Sequence, residues 1–159
     1  MKPFLAALAA VLALPSLAIP SLAGAKSPAV QVADAWCRAA PKGALAGGCY
    51  LTLTAGADDR LVAVETPAAG RAEIHTMSMD GGVMRMRKLA DGVALPAGKP
   101  VALKPGAEHL MIIGPKIALT PGAKLALTLR FRNAAPVTVA APVKAAPLPA
   151  MNGMSMEHH

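Results

Sequence analysis

The sequence predicts an all-β protein, a β-sandwich or small barrel of seven to nine short strands. Two observations lead to this prediction. Short segments in which apolar and polar residues alternate recur along the chain, and none carries a convincing 3.6-residue helical period. Clusters of Gly, Pro and Asp separate these segments at short intervals, as expected for turns between strands.

Nine segments fit a strand, because each combines alternation with β-branched or other apolar residues. In chain order they are Val30–Cys37, Cys49–Thr54, Arg60–Thr66, Ala72–Met77, Val83–Lys88, Val101–Lys104, His109–Ile113, Lys124–Phe131 and Val137–Ala140. The turn signals between them are Pro41-Lys42-Gly43, Gly56 to Asp59, Asp80-Gly81-Gly82, Pro96-Ala97-Gly98, Pro105-Gly106 and Pro121-Gly122. Turns so closely spaced leave room only for short strands, which is typical of sandwiches and barrels.

Residues 1–25 have the features of a secretory signal peptide. Lys2 supplies a positive charge, an apolar run follows from Phe4 to Leu14, and Ala23-Gly24-Ala25 forms a small-residue cleavage site. A membrane anchor is the alternative, but the apolar run is shorter than the roughly 20 residues that a spanning helix needs. We therefore expect a soluble periplasmic protein that begins near Lys26 and has no membrane span.

The mature chain is predicted to hold one domain, residues 26–140, followed by a tail. Residues 141–150 are rich in Ala and Pro, and residues 151–159 are rich in Met and His. Neither composition can extend a hydrophobic core, so we expect residues 141–159 to be flexible.

Charge and residue inventory argue against several function classes. The net charge is +7, but the basic residues are scattered and only 3% of residues are aromatic, which argues against nucleic-acid binding. The sequence offers no catalytic triad and no clear pair of catalytic carboxylates, so we predict no catalytic or organic-cofactor residues and no enzyme activity. The positive charge would favour docking on an acidic protein or on a membrane surface.

Sulfur and imidazole side chains are concentrated in two windows of the chain. All nine methionines except Met1, and all four histidines, fall within residues 75–111 or residues 151–159. The first window holds His75, Met77, Met79, Met84, Met86, His109 and Met111, and the second holds Met151, Met154, Met156, His158 and His159. Core packing is a reasonable explanation for one or two of the methionines, but not for the confinement of the whole set.

Hairpin geometry predicts that four side chains of the first window converge. With a two-residue turn at Asp80-Gly81, His75 faces Met86 across the hairpin and Met77 faces Met84. Residues two apart share a face of a strand, so all four side chains project to the same side.

A turn one residue later gives a second register of the same hairpin. Met77 then faces Met86, and His75 lies on the diagonal, still within reach. Farther along the chain, His109 and Met111 are also two apart in a predicted strand and share a face. In either register, two imidazoles and two thioethers from three strands can close one small site.

This donor set has a definite metal preference. Thioethers are soft and uncharged, so they favour Cu(I) and bind Mg²⁺, Ca²⁺ or Zn²⁺ poorly. Methionine also suits an oxidising compartment, where a thiolate site would tend to be lost to disulfides. A lone histidine on a strand is more often structural, but each histidine here has methionine on its own face, which favours a copper site.

These residues resemble the signature of the periplasmic copper chaperone family PCu(A)C, written H(M)x10Mx21HxM. His75 and Met86 are separated by ten residues, and His109-Leu110-Met111 supplies the His-x-Met. Further matching segments are Asp34-Ala35-Trp36, Asp80-Gly81-Gly82-Val83-Met84-Arg85-Met86, Leu95-Pro96-Ala97-Gly98 and Leu103-Lys104-Pro105-Gly106. The resemblance covers nearly all of residues 30–140. One departure is that 22 residues, not 21, separate Met86 from His109, which places an extra residue in the loop 88–93.

The resemblance implies a cupredoxin-like Greek-key β-sandwich or barrel. It also implies delivery of Cu(I) to the copper-bearing subunit of cytochrome c oxidase, alongside Sco-type copper proteins. By the same match, the metal ligands are His75, Met86, His109 and Met111. The residues Met77, Met79 and Met84 are then auxiliary.

The C-terminal window predicts a second copper site. Met151, Met154 and Met156 offer soft donors, and His158 and His159 offer imidazoles suited to Cu(II). A disordered end or the remnant of an affinity tag is the alternative. We expect a native tail that captures a second copper ion and passes it to the core site.

The two cysteines, Cys37 and Cys49, flank the first loop and allow three interpretations. Export and an even count favour a structural disulfide. Free buried thiols come second, and copper ligation comes last because neither cysteine is near a histidine or methionine in sequence. The spacing is not C-x-x-C, which argues against a thioredoxin-like redox role.

Two other copper functions compete with a chaperone. A blue-copper electron carrier needs a cysteine thiolate with two histidines and a weak axial methionine, and no cysteine here is followed closely by such residues. Strong blue absorption of a Cu(II) form would identify that class. Periplasmic copper storage or resistance is the second alternative, and transfer to an acceptor protein would distinguish it from a carrier.

Overall fold

The computed structural model describes residues 29–145, which form ten β-strands and no helix. The strands are β1 Val30–Arg38, β2 Ala46–Ala55, β3 Asp59–Glu65, β4 Ala69–Asp80, β5 Val83–Lys88, β6 Val93–Leu95, β7 Pro100–Leu103, β8 His109–Pro115, β9 Lys124–Phe131 and β10 Val137–Lys144. The predicted all-β class is confirmed, and β6 is a strand that the sequence pattern did not indicate. Within this part of the chain, nothing has the length and apolar character of a membrane-crossing helix.

The strands are ordered β5-β4-β8-β2-β1-β10-β9-β3-β6, and β7 also pairs with β2, beside β8. One layer holds β5, β4, β8, β2, β7 and β1, and the other holds β10, β9, β3 and β6. They are joined by a short parallel contact between β1 and β10, in which Cys37 pairs with Val143 and Arg38 with Lys144. All other pairings within residues 29–145 are antiparallel.

The core lies between the two layers and is made mostly of leucine. Its largest fully buried side chains are Leu51, Leu53, Leu61, Leu95, Leu103, Leu110, Ile112, Leu125, Leu127 and Leu129. Within each strand these residues occur at every second position, since alternate side chains of a strand point to opposite faces. Burying one such side chain contributes roughly 1.5–3 kcal/mol. The intervening positions are left on the outer faces, free for other chemistry.

The β4–β5 hairpin adopts the second of the two predicted registers. Asp80 pairs with Val83 and Met77 pairs with Met86, so the two turn residues are Gly81 and Gly82. Their φ angles are 57° and 80°. A type I′ turn needs positive φ at both central positions, and two glycines adopt it without a Cβ clash, whereas a turn at Asp80-Gly81 would force the aspartate into that region. The direct pairing of His75 with Met86 is therefore wrong.

A β-bulge in β1 decides which way its last residues point. The register against β2 shifts between Ala33 and Trp36, and Asp34 adopts a φ of 52°. Aspartate tolerates this left-handed conformation better than most side chains. The extra residue reverses the alternation, so Cys37 points into the core while Trp36 lies on the outer face beside its pairing partner Tyr50.

Cys37 and Cys49 form a disulfide across β1 and β2, which confirms the favoured interpretation. The two residues are direct pairing partners with Cα atoms 4.0 Å apart, and both are fully buried. The chain has two cysteines, so neither a free thiol nor a cysteine ligand for copper remains.

The last strand extends beyond the predicted domain boundary at residue 140. β10 runs to Lys144, with Ala141 and Val143 buried in the core, so the predicted flexible segment begins at least four residues too early. Pro142 does not break the strand, because Val143 donates its N–H to Ala123 beside β9 at 2.7 Å. The neighbouring nitrogen of Pro142 therefore faces away from β9, where its missing N–H is not needed. The predicted signal peptide and the Met/His-rich window 151–159 lie outside the described residues.

Candidate metal centre

The candidate donors occupy the outer face of the β5-β4-β8-β2 layer, opposite the core. In β8, Leu110 is fully buried, so its neighbours His109 and Met111 point the other way. In the pairing of β4 with β8, Ile74 lies opposite Leu110 and His75 lies opposite His109. The core contacts of one face therefore fix the positions of the imidazoles on the other.

The two histidines pack against each other. The ring centroids of His75 and His109 are 6.0 Å apart, with an angle of 62° between the ring planes. His109 is 6% exposed, and the side chain of His75 is 14% exposed. Burial of two polar rings side by side is costly unless their nitrogens have partners.

One nitrogen of His109 is held by the loop before β8. Its Nδ1 lies 2.9 Å from the carbonyl oxygen of Ala107, and a carbonyl can only accept, so Nδ1 carries the proton. The loop is itself closed by hydrogen bonds, from Ala107 N–H to the Lys104 carbonyl at 3.1 Å and from Lys104 N–H to the Glu108 carbonyl at 2.9 Å. Nε2 of His109 is left with its lone pair, as a metal ligand requires.

His75 has the complementary arrangement. Its Nε2–H donates to Oε2 of Glu73 at 2.9 Å, so in the neutral ring the lone pair is on Nδ1. That Nδ1 atom is buried and has no hydrogen-bond partner within residues 29–145. An unsatisfied buried polar atom costs roughly 1–3 kcal/mol, and a bound metal ion would satisfy it. The orphaned nitrogen therefore fits a ligand position.

Glu73 is set up as an ionised partner of His75. The hydrogen bond from His75 is the main cause that lowers the pKa of Glu73, and Lys88 and Arg71 lower it further. Lys88 Nζ lies 3.3 Å from Oε1 of Glu73, and Arg71 Nε lies 3.4 Å from it. A carboxylate that holds the far nitrogen of a histidine fixes the ring orientation and raises its basicity toward a metal.

A pocket of about 220 Å³ opens beside the two rings. It is lined by four donor residues, Met77, Met86, His109 and Met111, together with Arg38, Gly48, Tyr50, Pro105 and Gly106. Met86 is 46% exposed, so the pocket is open to solvent on the β5 side. Three of the four predicted ligands thus line one pocket, and the fourth, His75, packs against the ring of His109 next to it.

Aromatic residues support the buried side of the pocket. The ring centroids of Tyr50 and His109 are 6.4 Å apart, and those of Trp36 and Tyr50 are 4.7 Å apart. A Cβ atom on Gly48 would lie 2.6 Å from the hydroxyl oxygen of Tyr50, so a glycine at this position leaves room for the tyrosine. Gly48 is also the β2 partner of Met111, which places it directly beside a candidate ligand.

Sequence reasoning missed the supporting residues Glu73, Tyr50 and Arg38. Glu73 had a usable signal, since it stands two residues before His75 and shares its face. Tyr50 and Arg38 had none, because their approach to the pocket depends on the β1 bulge and on the pairing of β2 with β8.

Of the three auxiliary methionines, Met77 lines the pocket, and Met79 and Met84 lie farther along the hairpin. Met79 and Met84 are direct pairing partners, one pair farther toward the turn than Met77 and Met86. Neither Met79 nor Met84 lines the pocket. The predicted donors Met151, Met154, Met156, His158 and His159 lie outside the described residues.

Hard-ligand chemistry does not suit this centre. Among residues 29–145, no group of three or more His, Cys, Asp or Glu side chains is placed to hold a metal ion. Any metal bound here would depend on thioethers in addition to imidazole, and such a set prefers a soft ion such as Cu(I). Fold and site together define a class, that of β-sandwich proteins with a solvent-facing imidazole–thioether centre.

Known proteins are similar to this chain in sequence and in structure. The model of the family "Putative lipoprotein LpqE-like" matches residues 30–143. "Putative lipoprotein Lxx21020" of Leifsonia xyli subsp. xyli (strain CTCB07) is 33% identical over 121 residues, which span 76% of this chain and 73% of that protein. The chain therefore belongs to the LpqE-like family.

Solved structures link this family to PCu(A)C domains. "Apo PCuAC domain from PmoF1" superposes with a TM-score of 0.61 at 27% identity, covering 74% of this chain and 94% of that one. "Solution structure of CuI-DR1885 from Deinococcus Radiodurans" superposes with a TM-score of 0.59 at 28% identity, covering 79% and 85% respectively. The fold is thus cupredoxin-like, and the resemblance to the PCu(A)C family drawn from the sequence is confirmed.

Proposed function

We propose that this protein is an exported copper chaperone that binds Cu(I) through His75, Met86, His109 and Met111 and delivers it to the copper centres of cytochrome c oxidase. The observation that carries the proposal is the orphaned Nδ1 of His75, whose ring packs against His109 of a pocket lined by the other three donors. Hydrogen bonds to Glu73 and to the Ala107 carbonyl hold both rings in tautomers that leave a lone pair for a metal.

The charge of the donor set supports the monovalent ion. Two neutral imidazoles and two thioethers add no negative charge, so the complex keeps the +1 charge of Cu(I). A divalent ion would gain no direct ligand charge and would prefer harder donors. The absence of a thiolate ligand also keeps the ion exchangeable, as delivery to a partner requires.

The similar structures support copper as the cargo. One of them is named a PCuAC domain, and the name of another includes CuI. Both are similar to this chain over at least 74% of its length.

An electron-transfer cupredoxin is poorly supported. A blue-copper centre needs a cysteine thiolate, and both cysteines of this chain are joined to each other and fully buried. The imidazoles and thioethers alone give a centre suited to holding and releasing Cu(I).

Several features support an exported, periplasmic location. The N-terminal sequence has signal-peptide character, and a disulfide persists in oxidising compartments. A similar protein, Lxx21020, carries the word lipoprotein in its name. N-terminal sequencing of the secreted protein should begin at or near Lys26, and an intact N-terminus on a cytoplasmic protein would contradict export.

Ligand variants test the metal centre. Leucine is close to methionine in volume, so Met86→Leu and Met111→Leu should preserve the fold while removing a sulfur donor. We expect each variant to bind Cu(I) at least about tenfold more weakly, in line with the loss of 1.4 kcal/mol or more. Met79→Leu is the matched control, because it makes the same change on the same face outside the pocket. Unchanged Cu(I) affinity of both pocket variants in a competition titration would overturn the site.

Transfer tests the chaperone role separately. The Cu(I)-loaded protein is mixed with a soluble copper-binding domain of the oxidase, with and without a Sco-type protein, and the acceptor's absorption spectrum is followed. A chaperone should fill the acceptor at close to stoichiometric yield, and the Met86→Leu and Met111→Leu variants should not. A loaded protein that keeps its copper against the acceptor would instead support storage or resistance.

A further inference from the structure

Two exposed methionines lie between the candidate metal centre and the tip of the β4–β5 hairpin. Met79 is 67% exposed and Met84 is 57% exposed, and the two are direct pairing partners. Side chains so exposed bury little apolar surface, so packing does not explain them. Among the methionines of residues 29–145, they are the two that do not line the pocket.

The position of this pair relative to the pocket is regular. Met77 and Met86 line the pocket, and Met79 and Met84 form the next pair on the same face. Two residues along a strand span about 6.6–6.8 Å, and the Cβ atoms of directly opposed residues lie about 4.5–5.5 Å apart. Flexible thioether side chains in adjacent pairs can therefore meet a common ion.

Charged side chains of the hairpin are kept mainly on its other face. Arg85 and Arg87 alternate with the methionines along β5, and each guanidinium lies 3.3 Å from a carboxylate oxygen of Asp80. That ion-pair cluster leaves the thioether face free of arginine. A soft cation approaching the tip therefore meets neutral sulfur first.

We propose that Met79 and Met84 form a transient outer site for Cu(I), through which the ion reaches and leaves the pocket. The inference rests on the proposed function and extends it to the route of the ion. On release, bonds from copper to the sulfurs of Met79 and Met84 form while its bonds to the imidazole nitrogens and thioethers of the pocket break, and entry reverses these changes. Copper remains Cu(I), and no proton or electron is transferred. Without an imidazole the outer pair holds the ion more weakly than the pocket, so it affects the rate of exchange and leaves the affinity of the centre unchanged.

An apolar docking patch for another protein is the competing explanation for two exposed methionines. Substitution by leucine separates the two ideas, because leucine keeps the apolar surface and removes the sulfur. The test variant is therefore the double substitution Met79→Leu and Met84→Leu in the full chain. Val83→Leu is the matched control, since Val83 is 55% exposed in the same hairpin but alternates onto the opposite face.

The kinetic experiment measures release of Cu(I) from the loaded protein to a small bidentate Cu(I) chelator in a stopped-flow instrument. The double variant should keep the unmodified Cu(I) affinity while its release slows about tenfold, the effect of a barrier raised by about 1.4 kcal/mol. Val83→Leu should release copper at the unmodified rate. Equal release rates for the double variant and the control would overturn the outer site, and so would slow release in both.

Nuclear magnetic resonance of the ¹³C-labelled methionine methyl groups identifies the sulfur atoms involved. The probe is Ag(I), a soft monovalent ion that does not change oxidation state. We expect Met86 and Met111 to shift with the first equivalent and Met79 and Met84 to shift, in fast exchange, as Ag(I) is added beyond it. Shifts at Met86 and Met111 without any at Met79 and Met84 would overturn the outer site alone. No shift at any of the four would overturn the proposed metal centre together with it.

Discussion

Oε2 of Glu73 accepts a hydrogen bond from Nε2 of His75 at 2.9 Å, and the two residues stand two positions apart on the outer face of β4. Glu73 thereby fixes the orientation and the tautomer of a candidate ligand without facing the pocket itself. Its carboxylate is held in turn by Lys88 and Arg71. The carboxylate, the imidazole and the metal would then form a chain in which each group positions the next.

Replacing Glu73 should weaken metal binding through His75. In Glu73→Leu the hydrogen bond is lost, and we expect Cu(I) affinity to fall roughly 10-fold, at the lower end for partners of metal-binding histidines. In Glu73→Gln the side-chain oxygen still accepts the N–H, so the loss should be smaller. A competition titration with a Cu(I) chelator measures both variants.

Glu108→Gln is the control for this pair of variants. Glu108 accepts a hydrogen bond from the Thr76 hydroxyl at 3.3 Å and does not contact either imidazole nitrogen through its side chain. Its Cu(I) affinity should match the unmodified protein. If Glu73→Leu bound Cu(I) as tightly as Glu108→Gln, Glu73 would have no positioning role.

Loss of the disulfide should destabilise the fold more than it affects the metal centre. Cys37 and Cys49 are separated by 12 positions in sequence, and closing a loop of this size stabilises by roughly 3 kcal/mol in the chain-entropy model. The variant Cys37→Ala with Cys49→Ala should lose about that much in a denaturant titration. Its Cu(I) affinity should change little under conditions where it is folded. Two titratable thiols in the denatured, oxidised, unmodified protein would contradict the bridge.

Sequence alone could predict the strands and the shared face of each donor pair, because both follow from alternation. The period of two and an estimate of the hairpin turn put His75 and Met86 on one side, and the period alone put His109 and Met111 on one face. That the two pairs share a side depends on the pairing of β4 with β8. Cysteine count and export were likewise enough to favour the disulfide.

Other features of the fold depend on backbone conformations that the residue types do not indicate. Asp34 has a positive φ, a conformation that glycine usually adopts, so the sequence did not predict the bulge. Without the bulge, the side of the sheet on which Trp36 lies could not be predicted either. β6 has three residues, too few for alternation to be visible. The Ala/Pro-rich composition around Pro142 indicated an end to the sheet. The strand continues because Val143 supplies the hydrogen bond toward β9, while the nitrogen of Pro142 faces away from that strand.

Acid should destabilise the protein partly through Asp59. Its carboxylate accepts the backbone N–H groups of Arg60 at 2.7 Å, Ala134 at 2.8 Å and Asn133 at 3.0 Å, which ties the turn after β9 to β3. Partial burial by itself would raise the pKa of Asp59, but the backbone donors together outweigh it and lower the pKa below its ordinary value. A carboxyl whose pKa is lower in the folded state stabilises the fold above its unfolded pKa, about 3.9. That contribution is lost as the pH falls below about 4 and through the folded value.

The variant Asp59→Asn isolates this contribution. At pH 7 it should be less stable than the unmodified protein by about 1–3 kcal/mol, because charge-assisted hydrogen bonds are lost. The difference should shrink as the pH is lowered from 5 to 2.5, as measured by denaturant titration at each pH. Asp91→Asn changes an exposed aspartate whose carboxylate makes no hydrogen bond within residues 29–145, and its profile should parallel that of the unmodified protein. A constant difference for Asp59→Asn across this range would contradict the proposed linkage.

Truncation after Ala150 tests the predicted second copper site. Removal of Met151, Met154, Met156, His158 and His159 should lower the copper stoichiometry and leave the affinity of the core centre unchanged. Equilibrium dialysis with Cu(II) and a competition titration with Cu(I) measure the two sites separately. Unchanged Cu(II) stoichiometry together with an unchanged transfer rate would count against the tail.

The alternation of donors and core residues along β4 and β8 has a consequence for how these strands can change over time. His75 and His109 are adjacent in sequence to Ile74 and Leu110, yet the two histidines face the candidate metal centre and the other two residues face the leucine interior. Substitutions could therefore change the metal centre and the folding free energy independently, because the two depend on alternate positions of the same strands. Insertion or deletion of a single residue has the opposite effect, because it exchanges the two faces at once. Such strands tolerate drift in composition but not in length.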